Sequence, residues 1–240
     1  MVKTGLPAII VVTALALISV LPLSSQEESF AIREDFKDLK NWEPFTFKNE
    51  KRHSSYTIES EGKESYLRAE SDDSVSAIIY KGEFNVYEFP KLKWRWKVNN
   101  VYEKGDAKTK EGDDYPLRVY VIFEYDPDRV GFLERSKYNA ARLIYGKYPP
   151  DSSLNYIWSN KNHSEEILPS VYTNRSKMVL LQKGSSNTGK WITQEVDILG
   201  DYEKAFGKKP PAHATLGIMN DSDNTGEKSV SFIDSIELYN

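Results

Sequence analysis

The chain has 240 residues and no cysteine, so it can form no disulfide, carries no lipobox and has no thiol nucleophile. Its three histidines, His53, His163 and His213, stand apart without an H-x-x-x-H spacing, which argues against zinc. There is no G-x-S-x-G elbow, no phosphate-binding loop and no G-x-G-x-x-G fingerprint. Nor is there a Pro/Gly/Ser-rich spacer, an internal repeat or a low-complexity tract after the first 25 residues. Basic charge is not in excess either. The formal net charge is −4, and loss of Lys3 with an export segment would make it −5. A mildly acidic chain is a poor general binder of polyanions, so nucleic acid is not an expected partner.

What is present begins with an export signal. Lys3 precedes an apolar run, Ile9–Leu21, and the small residues Ser24 and Ser25 lead into acidic Gln26-Glu27-Glu28. The run is shorter than the roughly 20 apolar residues of a spanning helix. Leu23 suits the −3 position of a cleavage site poorly, which leaves retention as an anchor as the alternative. The expected organisation is a signal peptide over 1–25 and a single β-sandwich domain over 26–240. The protein is then exported, periplasmic or extracellular, and touches membrane through the signal segment alone. A chain of this length can bury enough apolar surface without disulfides.

The strongest patterns lie in Leu92–Tyr125. Leu92, Trp94, Trp96 and Val98 alternate with Lys91, Lys93, Arg95 and Lys97; Leu117, Val119, Val121, Phe123 and Tyr125 alternate with Arg118, Tyr120, Ile122 and Glu124. A period of two places one face of each strand in a core between stacked sheets. Short strand patterns at Tyr56–Ile58, Tyr66–Ala69, Val75–Tyr80, Leu154–Ser159, Met178–Gln182, Trp191–Ile198, Thr215–Met219 and Val230–Tyr239 complete an all-β picture. The fold expected is a jelly-roll-like β-sandwich with one helical insertion, Leu133–Leu143, and a short additional helix, Asp201–Phe206, ended by Gly207. Lys183–Lys190 reads as a hairpin loop. Val230, Phe232, Asp234, Ile236 and Leu238 share one face by simple alternation, and an acid there needs a partner.

Leu92-Lys93-Trp94-Arg95-Trp96-Lys97-Val98, Gly112-Asp113-Asp114 and Arg118–Phe123 together resemble a bacterial family, domain of unknown function 3047. Further matching segments are Tyr156-Ile157-Trp158-Ser159, Asp201–Gly207 and Met219–Thr225. The resemblance runs from about Asp35 to the C-terminus. It implies a secreted, β-rich domain and no particular reaction.

Candidate ligand-binding residues follow from residue type and place. Asp113 and Asp114 precede the strand that carries Arg118 on its outer face with Tyr120; a guanidinium beside carboxylates orients polar ligands or simply fixes a loop. Trp94 and Trp96 belong to a core stripe, whereas Trp158 is followed by Ser159 and Asn160, groups suited to sugar hydroxyls. Asp221, Asp223 and Asn224 sit in a D-x-D-x-x-G loop. The twelfth position from Asp221 is Phe232, not the glutamate of an EF-hand, so the choices are another kind of calcium site or an Asx-rich turn. A second calcium pairing joins Asp35 with Asp234. The Lys91/Lys93/Arg95/Lys97 ladder is either paired with acids or an anionic-glycan surface.

No catalytic residue is assigned. The expected function is non-catalytic binding of a polar ligand, a carbohydrate or another polar envelope ligand, with calcium as the one candidate cofactor. The alternatives are a glycan-active hydrolase or lyase using loop carboxylates, and a structural envelope protein that binds another protein. Trp158→Ala and Arg118→Ala are expected to abolish binding and leave folding intact.

Overall fold

The computed structural model describes residues 29–48, 50–145 and 148–240 together with Met1. The expected signal segment, beyond Met1, lies outside the described residues. None of the helices described is long and apolar enough to cross a membrane. The strands are β1 (Phe30–Glu34), β2 (Trp42–Phe45), β3 (Ser55–Glu61), β4 (Glu64–Asp72), β5 (Val75–Tyr80), β6 (Phe84–Asn85), β7 (Lys91–Val98) and β8 (Arg118–Phe123). After helix α1 (Phe132–Tyr145) come β9 (Ser152–Ser159), β10 (Ile167–Pro169), β11 (Ser176–Lys183) and β12 (Ile192–Asp197). Helix α2 (Ile198–Phe206), β13 (His213–Asp221) and β14 (Lys228–Tyr239) complete the order.

These strands form two sheets. One runs β12-β7-β14-β4-β3, with β1 also on β14; the other runs β10-β11-β9-β8-β13-β5-β2, with β6 on β13. The result is the all-β, jelly-roll-like sandwich that the alternation implies. The two strongest strands are not neighbours: β7 lies in the six-stranded sheet and β8 in the eight-stranded sheet. Their apolar stripes therefore meet across one core, where Leu92, Trp94, Trp96 and Val98 join Val119, Val121 and Phe123.

Sequence period fixes which way a side chain points but not which sheet receives it. Lys183–Lys190 shows this, because it is not a hairpin. It crosses between the layers, with Gly184 N donating to Ser159 O of one sheet at 2.8 Å and Gly189 N to Val98 O of the other at 2.8 Å. The strands on either side, β11 and β12, belong to different sheets, and β11 pairs with β9 in parallel.

Simple alternation also fails along β14. Its register against β7 shifts between Ile233 and Ser235, so the extra residue there is Asp234. A bulge re-aims the side chains on either side of it. Ile233, Ile236 and Leu238 are fully buried in the core, whereas Phe232 turns outward beneath the Lys97 ammonium, 4.5 Å from its ring. Asp234 pairs with Arg95 across the strand. The basic ladder of β7 is paired too: Lys91 with Asp197 at 3.6 Å, and Lys93 with Glu237 at 3.6 Å. Lys97 lies instead over the Trp191 and Phe232 rings, so three of the ladder's four cations are matched by acids.

Helix α1 occupies the expected stretch but docks differently from its pattern. Tyr138 is buried and stacks on Tyr125 with centroids 3.7 Å apart, while Phe132, Leu133 and Leu143 are 77–88% exposed. Helix α2 begins three residues before Asp201. Asp197 is its N-cap, accepting from Leu199 N and Gly200 N, and Gly207 ends it at φ 67° with its N–H on Glu203 O. Asp201 instead accepts from the buried Tyr156 hydroxyl at 3.1 Å, and burial raises its carboxyl above the ordinary range.

Candidate functional site

A cleft of about 410 Å³ opens on the outer face of the eight-stranded sheet. Alternation builds its floor: Arg118 and Tyr120 of β8, Asn155 of β9, Met178 of β11 and Met219 of β13 all point away from the core. The walls come from Asp113 in the loop before β8, from Asp221 at the end of β13 and from Asp223 and Asn224 in the loop after it, with the more exposed Phe47 and Tyr172 also lining the cavity. Six of the nine residues expected from sequence thus line one cavity: Asp113, Arg118, Tyr120, Asp221, Asp223 and Asn224.

Arg118 is the hub. Its Nε donates to Asp221 Oδ1 at 2.9 Å, and its Nη2 donates to Asp221 Oδ2 and, at 2.8 Å, to the Asp113 carbonyl. Its guanidinium lies 4.4 Å from the centre of the Tyr115 ring. Tyr115 returns to the same cluster, giving its hydroxyl to Asp113 Oδ1 at 3.1 Å and its N–H to Asp221 Oδ1 at 3.3 Å. Arg118 and Asp221 are both almost wholly buried. Desolvation works hardest against the Arg118 charge, but the charges of Asp221 and Asp113, the Tyr120 hydroxyl and the hydrogen bonds to Asp221 together outweigh it, so the guanidinium stays ionised. Burial pushes Asp113, Asp221 and Asp223 upward; for Asp223 the next cause is the charge of Asp114. Several carboxylates here share one guanidinium.

Asp114 stands behind the cleft wall rather than on it. It is fully buried, its Oδ2 accepts from Thr225 N at 2.6 Å, and its Oδ1 has no hydrogen-bond partner. Asp114, Asp221 and Asp223 offer oxygens within 4.8 Å of one another, so this trio fits a hard cation. Asp35 and Asp234 do not join it. Asp35 is bound to its neighbour Lys37, and Asp234 to Arg95.

Trp158 and Asn160 are corrected by the structure. Trp158 is fully buried, packs 5.7 Å from Trp96 and gives its indole N–H to Gly184 O at 3.0 Å. The stripe Leu154, Tyr156, Trp158 points into the core for the same reason as Trp94 and Trp96. No ligand can stack on it, and Trp158→Ala would cost about 3–5 kcal/mol of stability rather than report on binding. Asn160 is a structural bracket: its Oδ1 accepts from Tyr102 N at 2.9 Å and its Nδ2 donates to Asp114 O at 2.6 Å.

Among the cleft residues missed by sequence reasoning are Asn155, Met178, Met219, Phe47, Glu50 and Tyr172. Asn155 carried a legible signal, being the polar residue on the outer face between Leu154 and Tyr156. It is 1% exposed; its Nδ2 donates to Ser176 Oγ at 2.6 Å, and its Oδ1 has no partner. Tyr172 is 56% exposed, with its hydroxyl on Lys110 O at 3.2 Å and near Asn224 Nδ2 at 3.5 Å. Nothing in its Pro/Ser/Asn surroundings marks it.

A family model described as "Protein of unknown function (DUF3047)" matches residues 40–237. The chain belongs to this family. This DUF3047 member matches no curated protein. Among solved structures it is similar to a family 11 carbohydrate-binding module from Clostridium thermocellum in complex with a beta-1,3-1,4-mixed-linked tetrasaccharide. That similarity has TM-score 0.41 and 12% identity, covering 85% of this chain and 92% of that one. It is similar also to winged bean acidic lectin complexed with methyl-alpha-D-galactose, at TM-score 0.40 and 11% identity over 83% of this chain and 92% of that one. Another is Trichoderma harzianum endoglucanase 3 from family GH12, at TM-score 0.40 and 9% identity over 90% of this chain and all of that one (100%).

Proposed function

We propose that the protein is exported and binds a neutral, polyhydroxylated ligand, a carbohydrate, in the cleft over β8, β9 and β13, without altering it chemically. One observation carries the reading. Two exposed aromatic side chains, Phe47 and Tyr172, the latter with the Lys110 ammonium over one face of its ring at 5.6 Å, flank a floor whose buried acceptor, Asn155 Oδ1, lacks a donor. Aromatic faces suit the C–H surface of a sugar ring, and a few fixed polar groups below them set its orientation. The charge balance narrows the ligand: Glu50, Asp113, Asp221 and Asp223 line the cavity against Arg118 alone, so anionic sugars are disfavoured.

A second reading, a glycan-active hydrolase, draws on the raised carboxyls of Asp113 and Asp223. Against it, Asp221 has both oxygens engaged by Arg118, and Asp114 is sealed behind the wall. Glycosidase pairs flank the scissile bond with free carboxyls.

The test is calorimetric titration with neutral oligosaccharides and their uronic counterparts, together with a turnover assay. Tyr172→Ala should weaken binding by about tenfold, the worth of one aromatic contact, with an unchanged melting temperature. Equal affinity in Tyr172→Ala and wild type, or no binding by any neutral glycan, would remove the proposal. Measurable turnover would move the assignment to the hydrolase.

A further inference from the structure

Going beyond the glycan reading and independent of it, we infer that Asp114, Asp221 and Asp223 form a binding site for a hard divalent cation, calcium, in the cleft wall. Their oxygens lie within 4.8 Å of one another, a span that one ion can bridge at the ~2.3–2.6 Å typical of calcium–oxygen contacts.

A second observation points to a ligand. Asp114 is 0% exposed and its Oδ1 has no hydrogen-bond partner, although its Oδ2 is held by Thr225 N. A buried carboxylate oxygen left without a donor is costly, and a cation removes that cost. The local charge balance agrees. Among the described residues, Arg118 is the one side-chain cation in ion-pair contact with any of Asp113, Asp114, Asp221 and Asp223. Lys104, which reaches this loop, gives its ammonium to the Thr225 carbonyl instead.

The roles of the three differ. Both Asp221 oxygens already accept from Arg118, and Oδ1 from Tyr115 N as well, so Asp114 and Asp223 are the principal ligands and Asp221 is shared with the guanidinium through its remaining lone pairs. Asp223 is only partly buried, which leaves room for water to complete the six to eight oxygens that calcium takes. With no nitrogen or sulfur donor in the group, the chemistry selects calcium over zinc.

The experiment is a calcium titration of chelator-treated protein without glycan, followed by melting temperature and by terbium luminescence with calcium competition. Wild type should melt about 5–10 °C higher at a calcium concentration roughly a hundredfold above Kd. Asp114→Asn and Asp223→Asn should each weaken calcium binding at least tenfold. Asp223, nearer the surface, keeps the test valid should Asp114→Asn fail to fold. Absence of any calcium shift, unchanged affinity in Asp223→Asn, or an equal response to zinc would overturn the inference. Loss of glycan binding would touch none of these readouts.

Discussion

Replacing Arg118 with methionine keeps the length of an apolar stem and deletes the guanidinium that holds Asp221. Both side chains are almost wholly buried, at 5% and 2% exposure, so solvent cannot take over the lost bonds. Breaking a buried pair by removing one partner costs about 3–5 kcal/mol, against ~0–1 kcal/mol for a surface pair. For a chain of this size, that lowers the melting temperature by roughly 6–20 °C.

The deficit should also depend on pH. Burial already raises the Asp221 carboxyl, and loss of Arg118 removes what opposes that rise. The folded variant then holds a proton that the unfolded chain releases near pH ~4, so its stability falls as pH climbs above that value through the raised folded pKa. The gap from wild type is therefore narrowest in acid and widest at neutral pH. Arg118→Met/Asp221→Asn should recover part of the loss, because the orphaned charge is gone. Urea unfolding of wild type, both single variants and the double variant between pH 4 and 7.5 reads all of this. A deficit below about 1 kcal/mol that is flat with pH would refute the reasoning.

Gly105→Ala should destabilise by about 1–3 kcal/mol in urea melts, since its Cβ would meet Asn160 Nδ2 at 2.1 Å and disturb the bracket on Asp114. Asp201→Asn should abolish a pH slope. The raised folded carboxyl makes wild type lose stability as pH rises above the ordinary carboxylate range, and the amide variant lacks that component in a comparison of urea midpoints. Leu133→Asp and Leu143→Asp on α1 should stay within about 0.5 kcal/mol of wild type by thermal melt, because both side chains are more than three-quarters exposed.

Much of this was legible in the sequence, and the failures share a cause. Alternation correctly buried Trp94 and Trp96, and it set Arg118 on the face away from them. Applied with equal strictness, it would have buried Trp158, whose stripe with Leu154 and Tyr156 is of the same kind. The polar residues after Trp158 suggested a strand end open to ligand, but Asn160 is consumed by Tyr102 and Asp114. Alternation cannot announce a bulge, so Phe232 and Ile233 exchanged faces at Asp234. Nor does it say which sheet a strand joins, which is why the crossing at Lys183–Lys190 looked like a hairpin. Asp113 and Asp221 were each visible as loop acids, yet their meeting on Arg118 depends on β13 lying beside β8, a pairing no local pattern encodes.

That pairing gives the ion pair a part in assembly. Arg118 and Asp221 are 103 residues apart in the chain, on adjacent antiparallel strands with Arg118 opposite Met219. Sliding β13 by one residue would exchange its two faces and bring Asn220 or Ser222 beside the guanidinium. The buried cation would then lose its bidentate partner and keep only the longer contact to Asp113 at 3.8 Å, at a cost comparable to deleting Asp221 outright. The pair therefore penalises a misregistered sheet, adding to the closure cost that pairing strands so far apart in the chain already carries. Intolerance of substitution at Arg118 or Asp221 is therefore expected in any selection that scores only folded yield, with no ligand present.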